Sequence, residues 1–149
     1  VFAPHNIENE FTNKYFRDLN PILFNSNELS TNNNCLLINK LGILKFIYQY
    51  SHLSIIGGGF KNGIHNILEP ATFGVPIVIG SNYSHFAEAT ALVNMDGCIS
   101  VSNQKELNEA FENLIQNEDI QHEKGHICST FVQMNKGATT IILKHILND

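Results

Sequence analysis

At 149 residues, of which 43% are hydrophobic, the chain is long enough for one domain, spanning 1–149, with a sizeable buried core. Its formal net charge is −5 and it has no basic run, which excludes a phosphate-backbone footprint for DNA or RNA. Charged residues are only 15%, so asparagine supplies much of the polar surface.

The three cysteines, Cys35, Cys98 and Cys128, are odd in number and far apart, with neither metal spacing nor a disulfide framework. That usage points to a reducing compartment. No apolar run reaches membrane-spanning length and no signal-peptide pattern is present. The chain opens at Val1, inside an apolar run and without Met, as expected for a piece of a longer protein.

Val1–Ala3 reads as the end of a buried strand, and Pro4-His5-Asn6 as a turn with Asn6 as N-cap. Apolar residues at Ile7, Phe11, Tyr15, Phe16 and Leu19 have helical spacing. Pro21 restarts the chain, and Ile22–Phe24 reads as a short strand. Residues 25–34 are polar and turn-rich, a surface loop. Cys35–Ile38 is a predicted strand, Leu41–Tyr50 a helix with an apolar face from Leu44, Ile47 and Tyr48, and Leu53–Ile56 a further strand. A second loop over Ser81–Ser84 leads to a helix through Phe86, Ala89 and Leu92. Cys98–Val101 is the last strand. Ser102 or Asn103 caps a helix to about Gln116 with Leu107, Ala110, Phe111 and Leu114 on one face. Two more helical stretches, Asp119–Met134 and Ala138–Leu147, break at Gly137. Strands alternating with helices from end to end predict an α/β fold, a parallel sheet covered on both faces.

The organising stretch is Gly57–Pro76. The apolar run ending at Ile55 and Ile56 stops at Gly57, Gly58 and Gly59, a helical pattern opens near His65, and a second apolar run covers Pro76–Ile79. Strand, glycine turn, helix, strand is a βαβ unit. Glycines there let a ligand approach the main chain, and the first helical amides present partial positive charge to an anion. The pattern is neither G-x-G-x-x-G nor a P-loop, so the glycines alone fit a phosphate or carboxylate site and a ligand-free tight turn equally well.

His122-Glu123-Lys124-Gly125-His126 matches H-E-x-x-H, which on a helix sets two histidines on one face for zinc. Gly125 weakens that helix by about 1 kcal/mol relative to Ala. The surrounding Asn, Glu, Asp and Gln read as a solvated face, and no third ligand follows at a familiar spacing. No metal ligand is assigned.

Gly57-Gly58-Gly59-Phe60, Gly63-Ile64-His65-Asn66-Ile67-Leu68-Glu69 and Gly74-Val75-Pro76 resemble the donor half of the bacterial 3-deoxy-D-manno-octulosonic acid (Kdo) transferases, lipid A-specific enzymes. Ala3-Pro4-His5, Leu41-Gly42 with Tyr48, Gly80-Ser81-Asn82-Tyr83 with Phe86 and Glu88, and Asn135-Lys136-Gly137-Ala138 extend the resemblance over nearly the whole chain. His5 stands where many members carry Arg, and Gly59 where many carry Ser.

The resemblance implies a Rossmann-like C-terminal domain of a glycosyltransferase-B enzyme, lacking its first strand and the N-terminal acceptor domain. A missing central strand would leave backbone groups unpaired, so the fragment is expected to be marginal or to pair its strands abnormally. The full-length enzyme would transfer Kdo from CMP-Kdo to a lipid A precursor in lipopolysaccharide biosynthesis, at the cytoplasmic face of the bacterial inner membrane. CMP-Kdo has a single phosphate, so no diphosphate-bridging metal is expected and oriented donors suffice. No cofactor is implied.

The donor site implied by the resemblance comprises Pro4, His5, Leu41, Gly42, Ile43, Gly57, Gly58, Gly59, His65, Asn66, Ile67, Leu68, Glu69 and Asn82. Glu69, one helical turn after His65, would accept from ribose hydroxyls; alternatively it is a first-turn Glu favoured by the helix dipole. His65 and Asn66 are equally good helix-start residues. His5 would meet the phosphate or the Kdo carboxylate, or is a surface loop histidine. Leu41-Gly42-Ile43 would meet the cytidine. Phe86 is a weaker candidate with a core-like helical position. The family's catalytic base belongs to the N-terminal domain, so no catalytic residue is assigned and this stretch alone is expected to transfer no sugar. Two other readings stay open: a nucleotide-sugar epimerase of similar fold, expected to select UDP, and a non-catalytic flavodoxin-like nucleotide-binding domain.

Overall fold

The computed structural model describes residues 1–4, 16–26, 33–61 and 63–147. It divides into two compact units, Val1–Ile47 and Tyr48–Asp149.

In the first unit, β1 (Pro21–Leu23) pairs in parallel with β2 (Cys35–Leu37), Pro21 facing Cys35 and Leu23 facing Leu37. Phe2 occupies the other edge of β2. Its N–H donates to the Leu36 carbonyl at 2.8 Å and its carbonyl accepts from Ile38 N–H at 2.8 Å, while the Leu37 carbonyl turns the other way to accept from Phe24 N–H. Phe16, Cys35 and Leu37 form the buried cluster, and the Phe2 and Phe16 rings lie 4.5 Å apart. The helix expected from Ile7 to Leu19 falls mainly outside the described residues, as do His5 and Asn6; its described end is a 3₁₀ turn, Arg17–Leu19.

The helix expected over Leu41–Tyr50 is shorter. It is α1 (Leu44–Ile47), followed by a 3₁₀ turn over Tyr48–Tyr50. Gly42 at φ +79° sits in the left-handed region, which turns the chain there and delays the helix until after Ile43.

The second unit holds β3 (Ser54–Ile56), β4 (Ile77–Gly80) and β5 (Cys98–Val101), in the order β3-β4-β5 and all parallel. Every residue of β4 is buried. Val78 packs with Val101, Ala110 and Leu114 on one face, yet Ile77 and Ile79, which point the opposite way, are equally buried. Both faces are therefore covered, which is why Ile77–Ile79 of β4 read as a β-branched run and not as an alternation.

The helices are α2 (Leu68–Thr72), α3 (Ala87–Asn94), α4 (Gln104–Gln116), α5 (Glu118–Asn135) and α6 (Ala138–Leu147). α4 starts where the sequence predicts. Asn103 Oδ1 accepts from Glu106 N–H at 3.0 Å, and Glu106 Oε2 accepts from Ser102 N–H at 2.7 Å, a reciprocal cap. This unit is the expected α/β, Rossmann-like arrangement. Among the described residues, no helix is long and apolar enough to cross a membrane.

One expectation about α5 is overturned. The 122–126 stretch is not a solvated face throughout, because Lys124 and Gly125 are buried. A Cβ on Gly125 would lie 2.1 Å from the Gly74 carbonyl oxygen, so the glycine that weakens an isolated helix is what lets α5 sit against the turn before β4. Lys124 Nζ donates to the Asp96 carbonyl at 3.0 Å and to Asp96 Oδ1 at 2.7 Å, and Cys128 Sγ donates to the Gly97 carbonyl at 3.1 Å. These bonds tie α5 to the turn between α3 and β5.

Candidate functional site

Because β3, β4 and β5 are parallel, the loops after β3 and β4 leave the same carboxyl rim, where ligands gather in open α/β sheets. The two loops are stitched together. Asn82, just after β4, gives its N–H to the Gly59 carbonyl at 2.7 Å and its Nδ2 to the Lys61 carbonyl at 2.8 Å. Lys61 N–H returns to the Gly58 carbonyl at 3.0 Å, and His65 N–H to the Gly57 carbonyl at 3.1 Å. Asn82, a candidate ligand contact in the sequence, is thus a brace for the glycine turn.

The three glycines are not equivalent. A Cβ on Gly58, at φ +95°, would lie 2.1 Å from the Gly63 carbonyl oxygen, and one on Gly59 would lie 2.9 Å from Gly80 Cα. Packing alone demands glycine at both. Gly57 is exposed, and a Cβ there would meet only the His65 ring edge at 3.6 Å, an ordinary contact. A substituent at Gly57 is accommodated by the protein itself, so packing does not require glycine there.

His65 and Asn66 do not open a helix, as the sequence suggests. The helix α2 begins at Leu68 and runs five residues. Asn66 sets that start: its Oδ1 accepts from Leu68 N–H at 3.0 Å, and its Nδ2 donates to Glu69 Oε1 at 3.1 Å. A helix this short has a small aligned dipole. Its charge at the rim comes instead from individual amides. Those of His65 and Leu68 are engaged, whereas among the described residues the amides of Asn66 and Ile67 donate to nothing. Ile67 is buried, so it can offer a ligand little beyond its backbone.

Glu69 therefore does not stack one helical turn above His65. It is half-buried in the first turn of α2, held by the Asn66 amide. Its charge is felt by Tyr48, whose phenol is pushed above its usual range by burial and, second, by Glu69.

An open pocket of about 210 Å³ lies beside this turn, lined by Ile64, His65, Asn66, Ile67, Leu68, Phe86, Glu88 and Ala89. It gathers four of the sequence candidates, His65 to Leu68. Phe86 is not a core position within a helix: it precedes α3, is half-buried and packs its ring edge against Gly63. Glu88, which the sequence reading did not assign to the site, is part of the wall. Its position, second in α3, is also what a helix dipole favours, so nothing local set it apart.

Pro4, Leu41, Gly42 and Ile43 belong to the first unit, with Leu41 and Gly42 exposed in the turn after β2; His5 lies outside the described residues. His122, Glu123 and His126 are exposed on α5, and among the described residues no three His, Cys, Asp or Glu side chains converge.

No family model matches the chain. It is similar to the 3-deoxy-D-manno-octulosonic acid transferase of Haemophilus influenzae, 29% identical over 122 residues that cover 79% of this chain and 29% of that protein. Against the enzyme of the same name from Aquifex aeolicus it is 43% identical over 51 residues, 34% of this chain and 14% of that one. The chain thus spans less than a third of the length of these relatives. Among solved structures, the C-terminal CMP-Kdo binding domain of WaaA from Acinetobacter baumannii superposes with a TM-score of 0.69 at 18% identity, covering 78% of this chain and 62% of that one. The fold is that of such a C-terminal domain.

Proposed function

We propose that this chain is the donor-binding domain of a Kdo transferase and that it holds the CMP part of CMP-Kdo. One observation carries the reading. In a chain whose relatives are Kdo transferases, Gly57, the open amides of Asn66 and Ile67, and the Glu69 carboxylate follow a single strand, β3, at the carboxyl rim.

The roles follow from the chemistry of each group. Gly57 admits the phosphate to the backbone. The Asn66 and Ile67 amides and the His65 ring donate to it and stabilise the charge that grows as the sugar departs. The Glu69 carboxylate is a hydrogen-bond acceptor, so it takes hydrogen bonds from ribose hydroxyls and repels phosphate toward the amides. Gly58, Gly59 and Asn82 keep the turn in shape. A monophosphate leaving group handled this way requires no metal.

The whole enzyme, on this reading, passes Kdo to a lipid A precursor in lipopolysaccharide synthesis at the cytoplasmic face of the inner membrane. Acceptor and catalytic base lie in a preceding domain. The 149-residue chain alone then binds CMP and transfers no Kdo. Backbone-amide NMR during titration with CMP and UMP is the test. CMP shifting Gly57, Asn66, Ile67 and Glu69, with UMP weaker, supports the reading; no shift, or equal response to both nucleotides, overturns it.

A further inference from the structure

The pocket beside the glycine-turn loop and the start of α3 mixes apolar and polar side chains. Ile64, Ile67, Leu68, Phe86 and Ala89 are its apolar members and His65, Asn66 and Glu88 its polar ones, and the two kinds of surface contribute in nearly equal share. Asn66 is already engaged at both ends of its amide. Glu88 is exposed and, among the described residues, has no hydrogen bond or ion pair. The pocket therefore offers an exposed carboxylate beside apolar side chains.

Such a carboxylate only accepts. It attracts hydroxyl groups and repels phosphate and carboxylate. The apolar side chains among the lining suit the C–H face of a sugar, as ligand sites commonly combine apolar surface with a few placed polar groups. A volume of about 210 Å³ is below that of a whole nucleotide-sugar site, so only part of a donor fits. The phosphate-accepting amides of Asn66 and Ile67 stand at the same rim, on residues that also line the pocket.

We propose that this pocket takes the hydroxyl-bearing side of the donor's sugar, with Glu88 as the acceptor that reads its hydroxyls and turns its carboxylate outward. The proposal rests on the donor-binding reading above and adds a specificity-determining residue to it. Glu88 recognises the polyol and sets which face of the sugar meets the acceptor; it moves no proton.

The test is calorimetric titration of the 149-residue protein and its Glu88→Ala and Glu88→Gln variants with CMP and with CMP-Kdo. Loss of a hydrogen bond to a charged group predicts that Glu88→Ala weakens CMP-Kdo at least tenfold more than it weakens CMP. Glu88→Gln, which keeps one carbonyl acceptor, should lose less. CMP serves as the internal check on folding, since a misfolded variant loses both ligands. Equal weakening of CMP and CMP-Kdo in the folded Glu88→Gln protein, or no change for CMP-Kdo in either variant, overturns the proposal. If the unaltered protein binds CMP but CMP-Kdo no better, the sugar pocket fails while the nucleotide reading stands. If it binds neither, both fall.

Discussion

Gly59 and Gly80 touch through bare backbone: a Cβ on Gly80 would lie 2.4 Å from the Gly59 carbonyl carbon, and one on Gly59 2.9 Å from the Gly80 amide nitrogen. The ends of β3 and β4 are thereby joined without an intervening side chain, and Asn82 seals the joint with two hydrogen bonds.

That contact makes Gly59 a packing requirement, whereas Gly57 in the same tripeptide is free of one. Gly59→Ala should destabilise the protein by about 1–3 kcal/mol, the usual cost of overpacking, as read by urea unfolding. Gly57→Ala should leave the unfolding midpoint unchanged or slightly raised, because it meets only an ordinary contact and stiffens the unfolded chain. Its effect should fall on CMP, with affinity lowered about tenfold, ~1.4 kcal/mol. A Gly57→Ala protein that binds CMP normally would remove Gly57 from the site.

Glu69→Gln removes a charge and keeps the acceptor that holds Asn66. Stability should change by less than ~0.5 kcal/mol, as for surface substitutions away from special features. CMP affinity should fall about tenfold, within the range for a charge-assisted hydrogen bond. Tyr48 supplies an optical readout. Without the neighbouring negative charge its phenol should ionise at lower pH than before, yet still above the usual tyrosine range, because burial is the larger cause. Ultraviolet titration of phenolate absorbance checks the direction.

The Asp96–Lys124 pair is lopsided: the lysine side chain is 10% exposed and the aspartate 83%. Water screens the aspartate, so Asp96→Asn, which tolerates the same left-handed φ of 65°, should cost only about 1 kcal/mol. Lys124→Ala removes both hydrogen bonds and the buried stem, and should cost about twice as much. Equal losses in urea unfolding would contradict this ordering.

Alkali should loosen the second unit through its thiols. Burial pushes Cys98 and Cys128 up to about 12 from an ordinary value of 9.0. The folded state then holds protons that the unfolded chain releases, so the stabilisation is full below about pH 9 and is lost as pH rises toward 12. Thermal unfolding from pH 8 to 11 should show this decline, and the Cys98→Ala/Cys128→Ala protein a shallower one. In the native protein at pH 8, a thiol reagent should react with these two only at the rate of opening.

Local signals carried most of the fold. Cys98–Val101 and Ala138–Leu147 occupy the predicted spans, and Asn103 caps α4 because Asn-x-x-Glu is a short-range code. The same spacing, Asn66-x-x-Glu69, spans the entry to α2, where Asn66 Oδ1 accepts from Leu68 N–H without a capping box, and the glycine-to-histidine run suggested an earlier opening. Pro70 is no obstacle there, since the amide it lacks is one that a helix start leaves unpaired. Two features were illegible. Gly125 fits Gly74 across a long stretch of chain, and Glu88 joins His65 only because loops after different strands share a rim. Both depend on tertiary proximity, which periodicity does not encode.

The fit of Gly125 against the Gly74 carbonyl also fixes α5 mechanically. Sliding the helix by one turn would bring Gln121 or Ser129 to a spot with no room for a side chain. The helix is thus held in one axial register against the turn that enters β4.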